Sequence, residues 1–155
     1  MNFGPAGPEL LPGARNAVEV CLAIQPGERV ALIADRPSQA VAASLAEALK
    51  QRGATCEGFL LEDLAPRPLK RAPQQVLDAL GRADAGILCM QPQEGELGAR
   101  KDIVGVVERR HIRYAHMVGV TPEIMQQGMR ADYTLVDRLS ERLLRRMHSA
   151  TSLTV

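Results

Sequence analysis

The sequence predicts a three-layer α/β/α domain built on a mostly parallel sheet. Three observations point there. Arg29 to Ala34 (RVALIA) and Ala85 to Met90 (AGILCM) are almost continuously apolar, as strands covered on both faces must be. Segments of helical periodicity, each roughly 10 to 16 residues long, alternate with the strands, the signature of right-handed β-α-β units. Glycine and proline fall regularly between the two kinds of segment, where turns are needed.

Each element has its own justification. Ala17, Val20, Cys21 and Ile24 fall at i, i+3, i+4 and i+7, which predicts a helix from Ala14 to Ile24 with those residues on its buried stripe. Pro26-Gly27 turns the chain into the first strand, Arg29 to Ala34. Asp35 precedes a helix with Pro37 at its first position, Val41, Leu45, Ala48 and Leu49 on its buried face, and Gly53 closing it. The second strand spans Thr55 to Leu61, and Glu62-Asp63 reads as its polar end. Pro66 and Pro68 force a loop, and Pro73 opens a helix carrying Val76, Leu77 and Leu80. After the third strand, Ala85 to Met90, a loop leads to a helix from Leu97 to Arg110 and a fourth strand from Ile112 to Val118. Thr121-Pro122-Glu123 caps a short helix to Gln127. Asp132 begins a longer helix to His148, expected to be buried through Val136, Leu139, Leu143 and Met147.

Placing the most apolar strands in the centre gives the order 2-1-3-4, a Rossmann- or flavodoxin-like sheet. Ser152 to Val155 (SLTV) is expected to open a further strand. Residues 1–12, with Pro5, Pro8, Pro12 and interspersed glycines, read as a flexible leader, and residues 13–155 as a single α/β domain. In such sheets the ligand crevice lies beyond the carboxyl ends of the strands, where the winding direction reverses. Here that falls near Asp35, Arg36 and Met90 to Gln93.

The 155 residues carry 19 Lys+Arg against 18 Asp+Glu, a net charge of +1, and 3% aromatics with no Trp. That balance supplies neither the field nor the stacking platforms of a nucleic-acid or membrane-surface binder. No apolar run approaches the roughly 18 to 20 residues of a membrane span. Three widely spaced cysteines suit a reducing compartment, so a cytoplasmic location is expected.

No Gly-rich first turn follows the first strand, and no Gly-Lys-Ser/Thr ending occurs, so generic nucleotide binding is demoted. His111, His116 and His148 form no ligand motif, and His111 and His116 on one strand would point to opposite faces. No metal ligand and no catalytic residue is therefore named within the chain. Cys21, Cys56 and Cys89 follow the apolar pattern and read as buried small hydrophobes. The turn Asp35-Arg36-Pro37-Ser38 has two readings: a helix N-terminus that meets an anion with Arg36 and Ser38, or a plain helix cap. Arg100-Lys101 is unusual, because cations near the start of a helix oppose its dipole. Asp35, Arg36, Ser38 and Arg100 are thus the candidate substrate-binding residues. Arg138, Arg142, Arg145 and Arg146 read as a solvated helix face or, more sharply, as a docking patch.

Three stretches together carry a family resemblance. Asn16 to Asp35 (NAVEVCLAIQPGERVALIAD), Gly98 to Lys101 (GARK) and Val118 to Tyr133 (VGVTPEIMQQGMRADY) resemble, in order, the opening helix, turn and strand, the Ala-Arg-Lys helix start and the Gly-x-Thr-x-Glu and Gly-Met-x-x-Asp-Tyr motifs of the thermophilic-type leucyl aminopeptidases, the aminopeptidase T family. The resemblance runs from Gly13 to Val155. It implies the N-terminal α/β domain of a longer metallopeptidase that removes the N-terminal amino acid from small peptides. The implied partners are a C-terminal catalytic domain, absent here, and a second copy in a homodimer. The implied cofactor is a pair of divalent metals (zinc, cobalt, manganese or iron) bound by that absent domain, with none in this chain. On that reading this chain scaffolds or covers the site and is inactive alone. Iron-dependent ring-opening dioxygenases of dihydroxypyridines are similar to these peptidases and form one alternative. A freestanding module that binds small anions forms another.

Overall fold

The computed structural model describes residues 3–152. Its centre is a four-stranded, all-parallel sheet of order β2-β1-β3-β4, formed by β1 (Arg29–Ala34), β2 (Thr55–Leu60), β3 (Ala85–Met90) and β4 (Arg113–Val118). The expected order holds, and its reason is visible in burial: every residue of β3 and all but Arg29 of β1 are buried, whereas β4 is half-covered along its length.

Alternate residues of each central strand feed two cores. Val30, Leu32, Ala34, Ile87 and Cys89 pack beneath α1 (Leu11–Arg15), α2 (Gln39–Gln51) and α6 (Pro122–Gln126). Ala31, Ile33, Leu88 and Met90 pack beneath α4 (Gln74–Arg82) and α5 (Leu97–Arg110). Fully burying an Ile or Leu side chain contributes about 1.5–3 kcal/mol, so these two faces hold the sheet between its helical layers. The expected leader is docked on the first of them: Phe3 and Leu10 are buried, and Gln39 Nε2 donates to the Phe3 carbonyl at 3.0 Å.

Four local expectations are corrected. The first helix begins at Leu11, and α1 continues as a π-helical segment, Asn16–Cys21, with Leu22 N–H donating to Ala17 O at 2.9 Å. The i→i+5 winding rotates the buried stripe onto Ala14, Ala17, Val18 and Leu22, so Val20 and Cys21 face solvent rather than the core. The helix after β1 starts at Gln39, with Pro37 in the preceding turn, because the Asp35 carboxylate closes that turn by accepting from Ser38 N–H. Strand β2 stops at Leu60, and Glu62-Asp63 sit in a single helical turn, α3 (Leu61–Leu64). Strand β4 begins at Arg113 rather than Ile112, because the chain first leaves α5 through His111, its left-handed C-cap at φ 51°.

The largest correction concerns α7 (Tyr133–His148), which has no buried residue. Asp132 caps it as expected, accepting from Leu135 N–H at 3.0 Å. Yet Val136, Leu139, Leu143 and Met147 are 43% to 60% exposed. Periodicity identifies an amphipathic helix but says nothing about what its apolar stripe meets. The short α6 and the 3-10 turn Gly128–Arg130 lead α7 away from the sheet. Its start meets the body where Tyr133 Oη donates to Met129 Sδ at 3.4 Å. The expected strand at Ser152 to Val155 lies, beyond Ser152, outside the described residues.

Candidate functional site

The sheet reverses its winding between β1 and β3, and the residues immediately after those strands, Asp35 and Gln91, face one another there. Asp35 is fully buried. Its Oδ1 accepts from Ser38 N–H at 2.9 Å, and its Oδ2 accepts from Gln91 N–H at 2.7 Å and from Arg67 Nη1 at 2.5 Å. The loop that carries Arg67, between α3 and α4, contains a cis Arg67–Pro68 peptide.

Arg67 organises the whole crevice. Its side chain is 3% exposed, and all of its N–H groups are used. Nε and Nη2 form a fork on Glu96, at 2.8 Å to Oε1 and 2.6 Å to Oε2. Nη2 also reaches Gln91 O at 2.7 Å, and Nη1 divides between Asp35 and Glu62 Oε1, the latter at 3.4 Å. Glu96, the residue before α5, is fully buried and also accepts from Leu69 N–H at 3.0 Å. Burial pushes the Glu96 carboxyl up, but the bonds from Arg67 and the Leu69 amide outweigh it and leave its pKa below the ordinary value. The hydrogen bond to Glu96 likewise holds Arg67 firmly protonated against its burial.

The chemistry of this cluster is that of a tie. A guanidinium between two buried carboxylates, with each oxygen and each N–H engaged, leaves no unpartnered donor or acceptor for a ligand. It fastens the loops after β1, β2 and β3 and the start of α5 to one point. Removing one member of such a buried set leaves an uncompensated charge worth about 3–5 kcal/mol.

The four residues singled out from sequence are placed as follows. Asp35 and Ser38 are buried in the tie, and Gln91 Nε2 donates to Ser38 Oγ at 3.3 Å. Arg36 lies at the rim, exposed, with its N–H on Glu62 Oε2 at 3.0 Å and its Nη2 on Asp63 Oδ1 at 2.5 Å. Arg100 is separate. It stands one helical turn beyond Glu96 and lines a depression between α5 and β4 with Leu97, Lys101, Val104, Glu108 and His116. Burial, and then the Arg100 charge, push the His116 pKa down. The His116 ring tilts against Tyr114, with centroids 5.8 Å apart.

Sequence reasoning placed Gln91 within the crevice span Met90 to Gln93 but missed Arg67 and Glu96. One signal was available for Glu96, an acid at the start of a helix. For Arg67 the signal was slight, a cation set between the two loop prolines Pro66 and Pro68. Among the described residues, no group of three or more His, Cys, Asp or Glu side chains is arranged to hold a metal ion. Cys89 is buried within β3, as expected, and Cys56 is half-buried. No helix among the described residues is long and apolar enough to cross a membrane.

No family model matches the chain, and no curated protein matches it. Among solved structures, the chain bears a weak likeness to wild-type AmpT from Thermus thermophilus, with a TM-score of 0.44 and 17% sequence identity. The match covers 78% of this chain and 41% of that one, so this chain spans less than half the length of that protein.

Proposed function

We propose that this chain is the scaffold domain of an aminopeptidase T-like metallopeptidase, held beside a hydrolytic domain that carries the metals and the chemistry. The observation that carries the reading is the uncovered face of α7. Leu135, Val136, Leu139, Leu143, Leu144 and Met147 are each between 43% and 60% exposed on a helix that buries nothing. A contiguous apolar surface of this kind marks a contact site, and a single helix of this length is marginal in water without packing. The three ordered motifs, Asn16 to Asp35, Gly98 to Lys101 and Val118 to Tyr133, supply the family part of the reading. The switch-point crevice supports the scaffold part: in most sheets of this class it holds ligand, whereas here Arg67 fills it and ties it shut. In the parent enzyme the metals would activate the water that attacks the first peptide bond. This chain would orient or cover that site and strengthen a homodimer.

Two measurements test the proposal. The purified chain, incubated with cobalt or zinc and a leucine anilide, is expected to show only the background rate. Turnover at an enzyme-like rate would remove the scaffold reading. Leu139→Glu with Leu143→Glu is expected to lower the binding of a hydrophobic dye while leaving the melting temperature of the α/β body unchanged. A drop in that melting temperature would mean that α7 is packed within the domain and is no docking face.

A further inference from the structure

Arginines that leave the surface of this protein are met by partners, with one exception. Arg52, Arg67, Arg100 and Arg113 are the described arginines that are not fully exposed. Arg52 donates to Ile24 O at 2.7 Å. Arg67 is saturated, as described above. Arg113 donates to Leu22 O at 3.0 Å and Ala23 O at 2.9 Å and pairs with Glu28. Arg100 is different: its Nε is buried with no hydrogen-bond partner, and it joins no ion pair among the described residues. An unmet buried donor costs on the order of 1–3 kcal/mol, and more on a charged group.

The surroundings sharpen the anomaly. Lys101 follows directly and likewise joins no ion pair among the described residues, and both cations stand in the first turns of α5, against its dipole. His116 reaches the same depression from β4. Two apolar side chains, Leu97, 56% exposed, and Val104, complete the wall. Glu108, toward the far end, limits the total positive charge. A guanidinium fork beside an open apolar wall suits a planar, singly charged oxyanion with hydrocarbon attached. It suits a phosphate less well, since that needs more charge and no apolar wall.

We propose that the depression between α5 and β4 is a binding site for a carboxylate carried on an aliphatic group. The terminal guanidinium nitrogens of Arg100 receive the carboxylate, Lys101 and His116 flank it, and Leu97 and Val104 contact the hydrocarbon. The site is distinct from the Asp35–Arg67–Glu96 tie, whose donors are all engaged within the protein, and it does not depend on the peptidase reading.

The test is a titration of the isotope-labelled chain, followed through its backbone amide resonances, with 4-methylpentanoate, 4-methylpentanamide and inorganic phosphate as separate probes. The carboxylate is expected to shift the resonances of residues 97–104 and His116 saturably in the millimolar range, while the neutral amide leaves them in place. Arg100→Gln is expected to weaken binding about tenfold, as the loss of a charge-assisted bond does, and Lys101→Gln to weaken it less. Arg36→Gln, at the other site, should leave it unchanged. Lys101 is exposed, so its variant reports even if Arg100→Gln perturbs the fold. No saturable shift with the carboxylate, an equal response to the amide, or preferential binding of phosphate would each overturn the proposal. A further arm compares the free acid with a short peptide ending in leucine: tighter binding of the peptide identifies a chain-end carboxylate as the source, and equal binding identifies a free acid.

Discussion

Replacing Arg67 with Met keeps the length of the side chain and removes its charge and donors. In the native protein the Arg67 side chain is 3% exposed, and those of Asp35 and Glu96 are 0% exposed. The replacement strips both carboxylates of their cation and the Gln91 carbonyl of a donor in one step. Breaking a buried pair from one side costs about 3–5 kcal/mol, and two carboxylates at once place this variant in the upper part of that range. Against a domain stability of roughly 5–15 kcal/mol, the loss is large. It corresponds to a fall in Tm of about 8–20 °C for a chain of this size. The assay is urea unfolding followed by far-UV circular dichroism, repeated at several pH values. The pH dependence separates an electrostatic tie from simple packing. In the wild type the Glu96 pKa lies below its unfolded value, so its contribution is full above the ordinary glutamate range and is lost as pH falls through the folded pKa. In Arg67→Met, burial acts on Glu96 without its cation and raises the folded pKa. Stability is then full below the ordinary glutamate range and is lost as pH rises through the raised value. Moving from about pH 7 to about pH 5 should therefore stabilise the variant while leaving the wild type nearly flat. A variant within about 1 kcal/mol of wild type, or one with the wild-type pH slope, would refute the reasoning.

Three further outcomes are expected. A Cβ added at Gly13 would stand 2.2 Å from Met125 O where α1 meets α6, whereas one at Gly81 in α4 meets nothing within 4 Å; Gly13→Ala should lose about 1–3 kcal/mol and Gly81→Ala gain about 0.4–1 kcal/mol, both read by denaturant unfolding. Native-state thiol labelling should modify exposed Cys21 first, with Cys21→Ser abolishing the fast phase; Cys89, buried and pushed up to about 12 by burial and then by the Asp35 charge, should react only on unfolding, and rapid labelling of Cys89 would contradict its place in β3. Asp132→Ala removes the N-cap of α7 and should weaken that helix by about 1 kcal/mol, seen as faster amide exchange over residues 135–148 with the sheet unaffected.

The parts of the fold that could be read from the sequence are those whose causes are local. An unbroken apolar run such as Ala85 to Met90 admits few placements other than the middle of a parallel sheet, and two such runs with helices between them determine the strand order. Thr121 and Asp132 could be assigned as caps because a cap and the N–H it satisfies lie within three residues of each other. The crevice position near Asp35 followed in the same way, since it depends on where a strand ends. Arg67 could not be found by such reasoning. It meets Asp35 across 32 residues and Glu96 across 29, and nothing in a loop residue's neighbours announces a partner that distant. The π-helical winding at Asn16–Cys21 was hidden because a stripe counted at helical spacing assumes the i→i+4 bond that this segment lacks.

Arg100 and α7 show a third kind of legibility. In both, the sequence breaks with what the isolated domain needs: cations at the positive end of a helix, and an apolar stripe on a helix that covers nothing. Local rules flagged Arg100 as misplaced but could not say what it faces, and they described α7 as an ordinary core helix. The fold supplies the missing half of each statement. Arg100 faces a depression that, among the described residues, holds no counter-charge other than Glu108, and the apolar stripe of α7 stays exposed along its length. The two departures are independent, one cationic and one apolar, so a failed titration at Arg100 leaves the reading of α7 untouched, and an α7 found packed against the body leaves the reading of Arg100 untouched.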